Sequence, residues 1–318
     1  MDDHIGKALI ADVEVRSDDS AGPPANGISV RSPAIRPKVL GLFVALGLLW
    51  GMPYLLIRIA VEDLHPVALA FGRTFLGAAI LIPFALPSGA LKAGLRHWRW
   101  LLAYTLVEIS GPWVLIGYAE TVVNSSTAGL LIATTPIVAA LMSAGLGHER
   151  IGAARLCGLL LGFGGVALLL GADLGIDKLP AAAALILSAV GYAAGPIIAA
   201  RKLDAVSSMG VVAGSLILAT VIYLPAVPFF LPEKLEPRAV ASVVGLSIFC
   251  TALPFLLLSS LIREVGPARS TIITYINPAV ALVLGVAVLD EPLTIGLLAG
   301  LPLIVIGSFL GARRAQGS

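Results

Sequence analysis

The sequence is poor in charge. Asp, Glu, Lys and Arg make up 13% of its 318 residues, while apolar side chains make up 58%. A soluble globular domain carries about 25% charged residues. A folded chain of this size cannot hide so much apolar surface from water, because its exposed area still grows steeply with mass. The composition therefore excludes an ordinary soluble protein and indicates a chain that folds in lipid.

Other residues and motifs that are scarce in the sequence exclude further classes of protein. The two cysteines, Cys157 and Cys250, lie in apolar runs, and the four histidines have no ligand spacing, so we expect no disulfide framework and no metal site. The net charge of +2 is spread along the chain and indicates no nucleic-acid partner. A phosphate-binding G-x-x-x-x-G-K-[ST] loop is also missing, which excludes an ATP-driven pump. We expect no cofactor and no catalytic residues.

Long apolar segments recur from Lys38 onward, each about as long as the 20 residues that a helix needs to cross a membrane. Since the sequence shows no period-2 alternation, helices are favoured over a β-barrel. The predicted fold is an all-α integral membrane protein with ten transmembrane helices. Residues 1–37 lack this pattern and are predicted to form a disordered cytoplasmic tail. The predicted spans are 39–60, 66–87, 99–118, 124–146, 152–172, 180–200, 207–231, 239–261, 268–289 and 294–312.

The basic residues between these spans predict the orientation. With a cytoplasmic N-terminus, fourteen Lys and Arg residues fall inside and three fall outside. By the positive-inside rule both termini are cytoplasmic, in a multi-pass protein of the inner or plasma membrane. The inside set is Arg31, Arg36, Lys38, Lys92, Arg96, Arg99, Arg150, Arg155, Arg201, Lys202, Arg263, Arg269, Arg313 and Arg314; the outside set is Lys178, Lys234 and Arg238.

The chain is internally duplicated with an offset of 142 residues. Prolines and acids, which are rare in such a sequence, recur in one register: Pro112, Pro136 and Glu149 correspond to Pro254, Pro278 and Glu291. The repeats are residues 38–172 and 180–314, with five spans each, so the second repeat must cross the membrane inverted. Inverted repeats with a solute site between them are typical of secondary transporters. We expect each of the four prolines to remove a backbone hydrogen bond and to kink its helix. Such paired kinks suit a cavity between the halves, or else only shape the packing of the helices. Each glutamate is expected to cap the helix that follows it.

With these features the sequence resembles the drug/metabolite transporter superfamily, in its ten-helix branch with two EamA domains. The resemblance rests on LLWGMPYLLIRIA (48–60), on Arg73 in AFGRTFLGAAIL, and on the paired stretches TTPIVAALMSAGLGHER (134–150) and INPAVALVLGVAVLDEP (276–292). Arg58 stands where relatives commonly have lysine. The resemblance implies alternating-access transport of a small organic solute, with efflux of amino acids or related metabolites as the leading expectation and uptake as the alternative.

Charges inside the spans are the first candidates for a transport site, because burying them in a membrane is costly. Arg58 lies at the outer end of its span and is expected to reach the interface. Arg73 and Glu108 lie deeper. They are predicted either to form a structural ion pair or to act separately. In the second case Arg73 binds an anionic group of the substrate, and Glu108 is the proton-coupling carboxylate.

Aromatic and amide side chains inside the spans are predicted to line a partly apolar pocket. Ordinary packing is the other interpretation of each. Pairs of glycines four residues apart in the fifth and tenth spans predict close helix packing within the chain, or less directly a dimer face, so the protein is a monomer or a homodimer. A membrane enzyme and a non-transporting partner protein are the remaining alternatives. The pocket candidates are Trp50, Tyr54, Trp113, Tyr192, Tyr275 and Asn277.

Overall fold

The computed structural model describes residues 37–145, 152–173, 175–265 and 270–312. Residues 1–36, almost all of the predicted tail, lie outside the described residues, and so does Glu149. Every regular element in the described ranges is helical. The α-helices are α1 (Pro37–Gly51), α2 (Pro53–Ala60), α3 (Pro66–Ala85), α4 (Ala90–Arg96), α5 (Trp98–Tyr104), α6 (Gly111–Glu120), α7 (Ser125–Ile132), α8 (Thr135–Gly145), α9 (Ala153–Asp173), α10 (Leu179–Lys202), α11 (Ser208–Tyr223), α12 (Val227–Phe230), α13 (Pro237–Ser247), α14 (Leu253–Val265), α15 (Asn277–Leu289) and α16 (Ile295–Ala312).

Six helical stretches within the described ranges have the length and composition to cross a membrane, and four shorter helices are also apolar. Each predicted span overlaps one of these stretches, in keeping with an all-helical membrane fold. That the four shorter helices also cross the membrane stays a prediction. The long stretches are Pro37–Ala60, Pro66–Ala85, Trp98–Glu120, Ser125–Gly145, Leu179–Lys202 and Pro237–Val265; the shorter ones are Leu156–Gly171, Ser208–Tyr223, Ile273–Leu289 and Ile295–Gly311.

Two π-helical segments occupy matching places in the two halves. The first segment is Thr105–Ser110 and the second is Ile248–Ala252, so residues 106–110 and 248–252 are related by the 142-residue offset. Pro112 and Pro254 follow them as the second residues of α6 and α14. Proline has no N–H and clashes with the carbonyl four residues earlier, which prevents a regular α-helix there. These segments are where the third and eighth predicted spans lose regular geometry.

The other repeated prolines also lie at helix breaks. Pro136 is the second residue of α8, which starts after α7 has ended at Ile132. Pro278 is the second residue of α15, which follows a 3₁₀ turn at Thr271–Tyr275. Where kinks were expected, the structure has a break in the regular α-helix within all four spans that carry these prolines.

The helices of the two halves interlock. Helix α3 packs on α11, its counterpart in the second half, and α9 packs on its counterpart α16. Helix α6 packs on α10, and the equivalent pair, α14 with α1, is also in contact. Exchanging the halves thus converts one set of contacts into the other, as expected for two units related by a two-fold axis. The two largest buried apolar clusters each contain residues of both halves.

Glycine allows the closest of these contacts. A Cβ on Gly307 of α16 would lie 2.5 Å from the backbone nitrogen of Gly162 and 2.7 Å from the carbonyl oxygen of Gly158, both in α9. Because backbone atoms cannot move aside as a flexible side chain can, only glycine fits. The small residues of the fifth and tenth predicted spans therefore serve packing within the chain.

Candidate functional site

Arg73 is the buried cation at the centre of the site. Its side chain projects from α3, and the residue is only 7% exposed. The guanidinium Nε donates a hydrogen bond to Thr251 Oγ1 at 3.0 Å, and Nη2 donates to the Cys250 carbonyl oxygen at 3.4 Å. That carbonyl has no partner four residues later, since Pro254 lacks an N–H. Arg73 therefore joins α3 of the first half to the proline break of the second.

Two predicted aromatic residues complete this cluster. The Arg73 guanidinium carbon lies 3.6 Å from the centroid of the Trp113 ring, within cation–π distance. Tyr192 of α10 packs against the buried apolar cluster that contains Trp113. The Tyr54 side chain is buried as well, in an apolar cluster against which Tyr192 also packs. The structure thus brings together Arg73, Trp113, Tyr192 and Tyr54 from both halves of the chain.

Glu108 lies in the first π segment and faces α10. Its Oε2 is buried and has no hydrogen-bond partner among the described residues. A Cβ on Gly195 would lie 2.8 Å from Glu108 Cδ, so this glycine makes room for the carboxylate. Arg73 and Glu108 form no ion pair within the described part of the chain. Both lie near Tyr192, so the guanidinium and the carboxylate share one neighbouring phenol without pairing with each other.

The other predicted pocket residues make their contacts elsewhere. The Trp50 ring packs edge-to-face on Phe255, with centroids 6.1 Å apart. The Tyr275 hydroxyl donates to the Ser308 carbonyl oxygen at 3.4 Å. Asn277 Oδ1 is buried without a hydrogen-bond partner in the described ranges, which leaves one free acceptor beside α1. These three residues pack between helices and are not part of the Arg73 cluster.

Glu291 caps a helix, but not the one that was predicted. Its Oε1 accepts a hydrogen bond from the Ser125 backbone N–H at 2.7 Å, and its Oε2 accepts from the Ser126 N–H at 3.0 Å and from the Ser126 hydroxyl. It therefore caps α7 of the first half, whereas α16, the helix that follows, is capped by the Thr294 hydroxyl. The prediction named the wrong helix, because the N-terminus that Glu291 caps is its neighbour in space and not in sequence.

Sequence reasoning missed Glu120, the last residue of α6. It has no exposed surface, and neither carboxylate oxygen has a hydrogen-bond partner in the described ranges. Arg58 donates to the Glu120 carbonyl oxygen at 2.6 Å, and its place at the membrane interface stays a prediction. Glu120 also interacts electrostatically with Glu291. The available signal was Arg58 itself, an intramembrane cation that needs a partner at the same membrane depth.

Thr251 was also missed, although a sequence signal for its neighbourhood existed. Pro254 frees the carbonyl of residue 250, and a freed carbonyl inside a span needs a donor. As for metals, no group of three or more His, Cys, Asp or Glu side chains in the described residues is placed to hold an ion.

Comparisons with known proteins agree with this architecture. A model of the EamA-like transporter family matches twice, at residues 38–171 and 179–312. YvbV of Bacillus subtilis, named a transporter, is 28% identical over 86% of this chain and 90% of its own length. A Streptantibioticus cattleyicolor protein named "probable terminal-alkyne amino-acid exporter" is 26% identical over 84% of this chain and 91% of its own. A solved crystal structure superposes with a TM-score of 0.62 at 21% identity, covering 86% of this chain and 96% of that one, and indicates a shared fold.

Proposed function

Because the chain belongs to the EamA-like transporter family, we propose that it exports small zwitterionic solutes, amino acids or related metabolites, by secondary alternating-access transport. The single observation that carries the choice of solute is the separation of Arg73 from Glu108. Each is a charged group placed between the halves, and they do not pair with each other. A solute with one negative and one positive end supplies the partner that each side chain lacks.

The carboxylate end of the solute binds Arg73. Its guanidinium has five N–H donors, and the two contacts in the structure, to Thr251 and to the Cys250 carbonyl, use only Nε and Nη2. A planar guanidinium matches a carboxylate with two parallel hydrogen bonds. Trp113 covers one face of the guanidinium, so the carboxylate approaches along its edge.

The ammonium end binds Glu108, and this is also how a proton gradient drives export. A buried carboxylate oxygen without a hydrogen-bond donor, such as Glu108 Oε2, is costly to keep charged unless a cation is next to it. An ammonium group or a proton meets that need, and Glu108 holds one of them at a time. A proton taken up from outside therefore displaces the solute, which makes the protein a proton–solute antiporter. Loss of either charge from the solute weakens binding.

The membrane arrangement belongs to the same proposal. Ten helices cross the membrane as two inverted five-helix repeats, with both termini in the cytoplasm, in a monomer or homodimer. The two-fold exchange of helix contacts supports this, because each half can then adopt the conformation of the other. The direction, export, follows the name of the S. cattleyicolor relative.

Binding of blocked amino acids tests the proposal. We would measure, by calorimetry on the purified protein, a panel of amino acids with their N-acetyl and amide derivatives. Since hydrogen bonds to charged groups contribute about 1.5–3 kcal/mol, blocking either end should weaken binding by roughly tenfold or more. In the Arg73→Met variant, amides, whose carboxylate is blocked, should bind as well as the free amino acids, while N-acetyl derivatives still bind more weakly. In the Glu108→Gln variant, N-acetyl derivatives, whose amino group is blocked, should bind as well as the free amino acids, while amides still bind more weakly. Equal binding of free and blocked forms would overturn the zwitterion site.

A further inference from the structure

The short helix α4 lies between two spans and has three different stripes. Ala90 and Gly94, one turn apart, are buried. A Cβ on Gly94 would lie 2.7 Å from the carbonyl oxygen of Gly210 in α11, so the two backbones touch. The chain enters α4 through Gly89, whose φ of 68° suits glycine. Helix α4 of the first half is therefore held rigidly against α11 of the second.

The other two stripes form a groove. Leu91 and Leu95 are one turn apart on one side, and Lys92 and Arg96 are one turn apart beside them. Together with residues just after the end of α3, these four side chains line an open groove with a volume of about 750 Å³. The groove is lined by Leu86, Gly89, Leu91, Lys92, Leu95 and Arg96. It thus combines an apolar wall, next to a membrane span, with two cations at its edge.

The charged side chains that line this groove, Lys92 and Arg96, are both cationic. No acidic residue occurs between Asp63 and Glu108, and neither Lys92 nor Arg96 has an ion-pair partner in the described part of the chain. The acid of the adjoining 203–207 loop, Asp204, is exposed. A ligand for this groove must therefore be anionic.

Flanking aromatic side chains place the groove at the membrane surface. Lys202 Nζ lies 4.7 Å from the Trp100 ring centroid, and the guanidinium carbon of Arg99 lies 5.7 Å from that of Trp98. Both tryptophans are exposed. Tryptophan is enriched at the level of the lipid headgroups. We therefore infer that Lys92 and Arg96 lie at the same depth as the lipid phosphates.

We propose that this groove is a binding site for one anionic phospholipid. The phosphodiester lies between Lys92 and Arg96, and an acyl chain runs along Leu86, Leu91 and Leu95 into the bilayer. Basic pockets between membrane helices recognise anionic headgroups in this way. A free phosphate would leave the leucine wall uncovered, which is why a lipid is the occupant. The lipid covers α4 where it packs on α11 and so stabilises a contact between the halves.

Native mass spectrometry of the full-length protein tests the site, with phosphatidylglycerol and phosphatidylcholine of identical acyl chains. Phosphatidylglycerol should bind at one site per chain and phosphatidylcholine should not. With about 1 kcal/mol for each basic residue near an anionic surface, the Lys92→Gln/Arg96→Gln variant should bind phosphatidylglycerol roughly 30-fold more weakly. The matched control, Lys178→Gln/Lys234→Gln, removes two cations elsewhere and should bind like the wild type.

A second arm separates a lipid from its headgroup. Leu91→Ser/Leu95→Ser should weaken phosphatidylglycerol binding, and glycerophosphoglycerol, which has no acyl chains, should not compete at the lipid's concentration. Equal binding of the two phospholipids, or unchanged binding by Lys92→Gln/Arg96→Gln, would overturn the proposal. Competition by glycerophosphoglycerol would also overturn it, in favour of a phosphate site. The substituted side chains are exposed or half-buried, and unchanged melting of each variant confirms that its fold is intact.

Discussion

Replacing Glu291 by glutamine should destabilise the protein markedly, although the substitution changes neither size nor shape. The carboxylate accepts three hydrogen bonds at the start of α7, from the Ser125 N–H at 2.7 Å, the Ser126 N–H at 3.0 Å and the Ser126 hydroxyl. Glutamine keeps one acceptor oxygen, and its NH₂ group faces an N–H that it cannot accept from. The helix N-terminus also loses the negative charge that its dipole favours.

The magnitude follows from these contacts. Hydrogen bonds to a charged group contribute about 1.5–3 kcal/mol each, against about 0.5–1.5 kcal/mol for neutral ones. Losing one bond and weakening the others therefore lowers the free energy of unfolding by roughly 2–4 kcal/mol. The shift in melting temperature is about 2–4 °C per kcal/mol for a chain of 150–250 residues and smaller for a longer one, so with about 2 °C per kcal/mol the melting temperature of this chain should fall by roughly 4–8 °C.

The assay is thermal unfolding of the purified protein in detergent, followed by circular dichroism. The control is Glu236→Gln. Glu236 also precedes a helix, α13, but makes no capping hydrogen bond. Its one ion pair with a described residue is with the exposed Lys234, an interaction worth about 0–1 kcal/mol. A melting temperature of Glu291→Gln within about 1 °C of that control would refute the assigned cap between the halves.

Two glycine substitutions test the packing and the site. Gly307→Ala should separate α9 from α16 at a cost of about 1–3 kcal/mol and so lower the melting temperature. The control is Gly164→Ala, whose Cβ would meet nothing within 4 Å and which should not lower it. Equal melting temperatures of the two variants would contradict the contact between α9 and α16. Gly195→Ala should displace Glu108 and remove the preference for a free amino group in the binding assay while preserving the preference for a free carboxylate. Retention of both preferences would show that Glu108 does not face the solute.

Much of the fold could be predicted, because the lengths of the apolar segments and the positions of rare residues such as proline indicate where the helices lie and where they break. Apolar segments predicted most helical stretches to within a few residues, although the seventh predicted span, 207–231, runs eight residues past the apolar helix Ser208–Tyr223. The prolines at 112 and 254 marked two of the helix breaks. The site was predicted less completely. Intramembrane charge pointed to Arg73 and Glu108, and aromatic composition pointed to Trp113 and Tyr192, because polar groups inside a membrane need a reason to be there.

The remainder depends on contacts that sequence distance does not reveal. Glu120 was missed because its span was predicted to end at 118, whereas α6 continues two residues further and turns this acid inward. Hydropathy averages a window and does not say which way one side chain points. Glu291 was paired with the wrong helix since its partners, Ser125 and Ser126, are about 165 residues away. Interlocked repeats bring such positions together, and only the packed structure identifies them.

Metabolite profiling of the medium tests the central claim most directly. Mass spectrometry would compare the medium of three cultures. One produces the wild-type protein, one produces an Arg73→Ala variant that is present in the membrane at the same level, and one produces neither. Export through the Arg73 site predicts that an amino acid or related zwitterion accumulates outside the cells with the wild-type protein only. The same accumulation with Arg73→Ala, or none above cells that lack the protein, would contradict it.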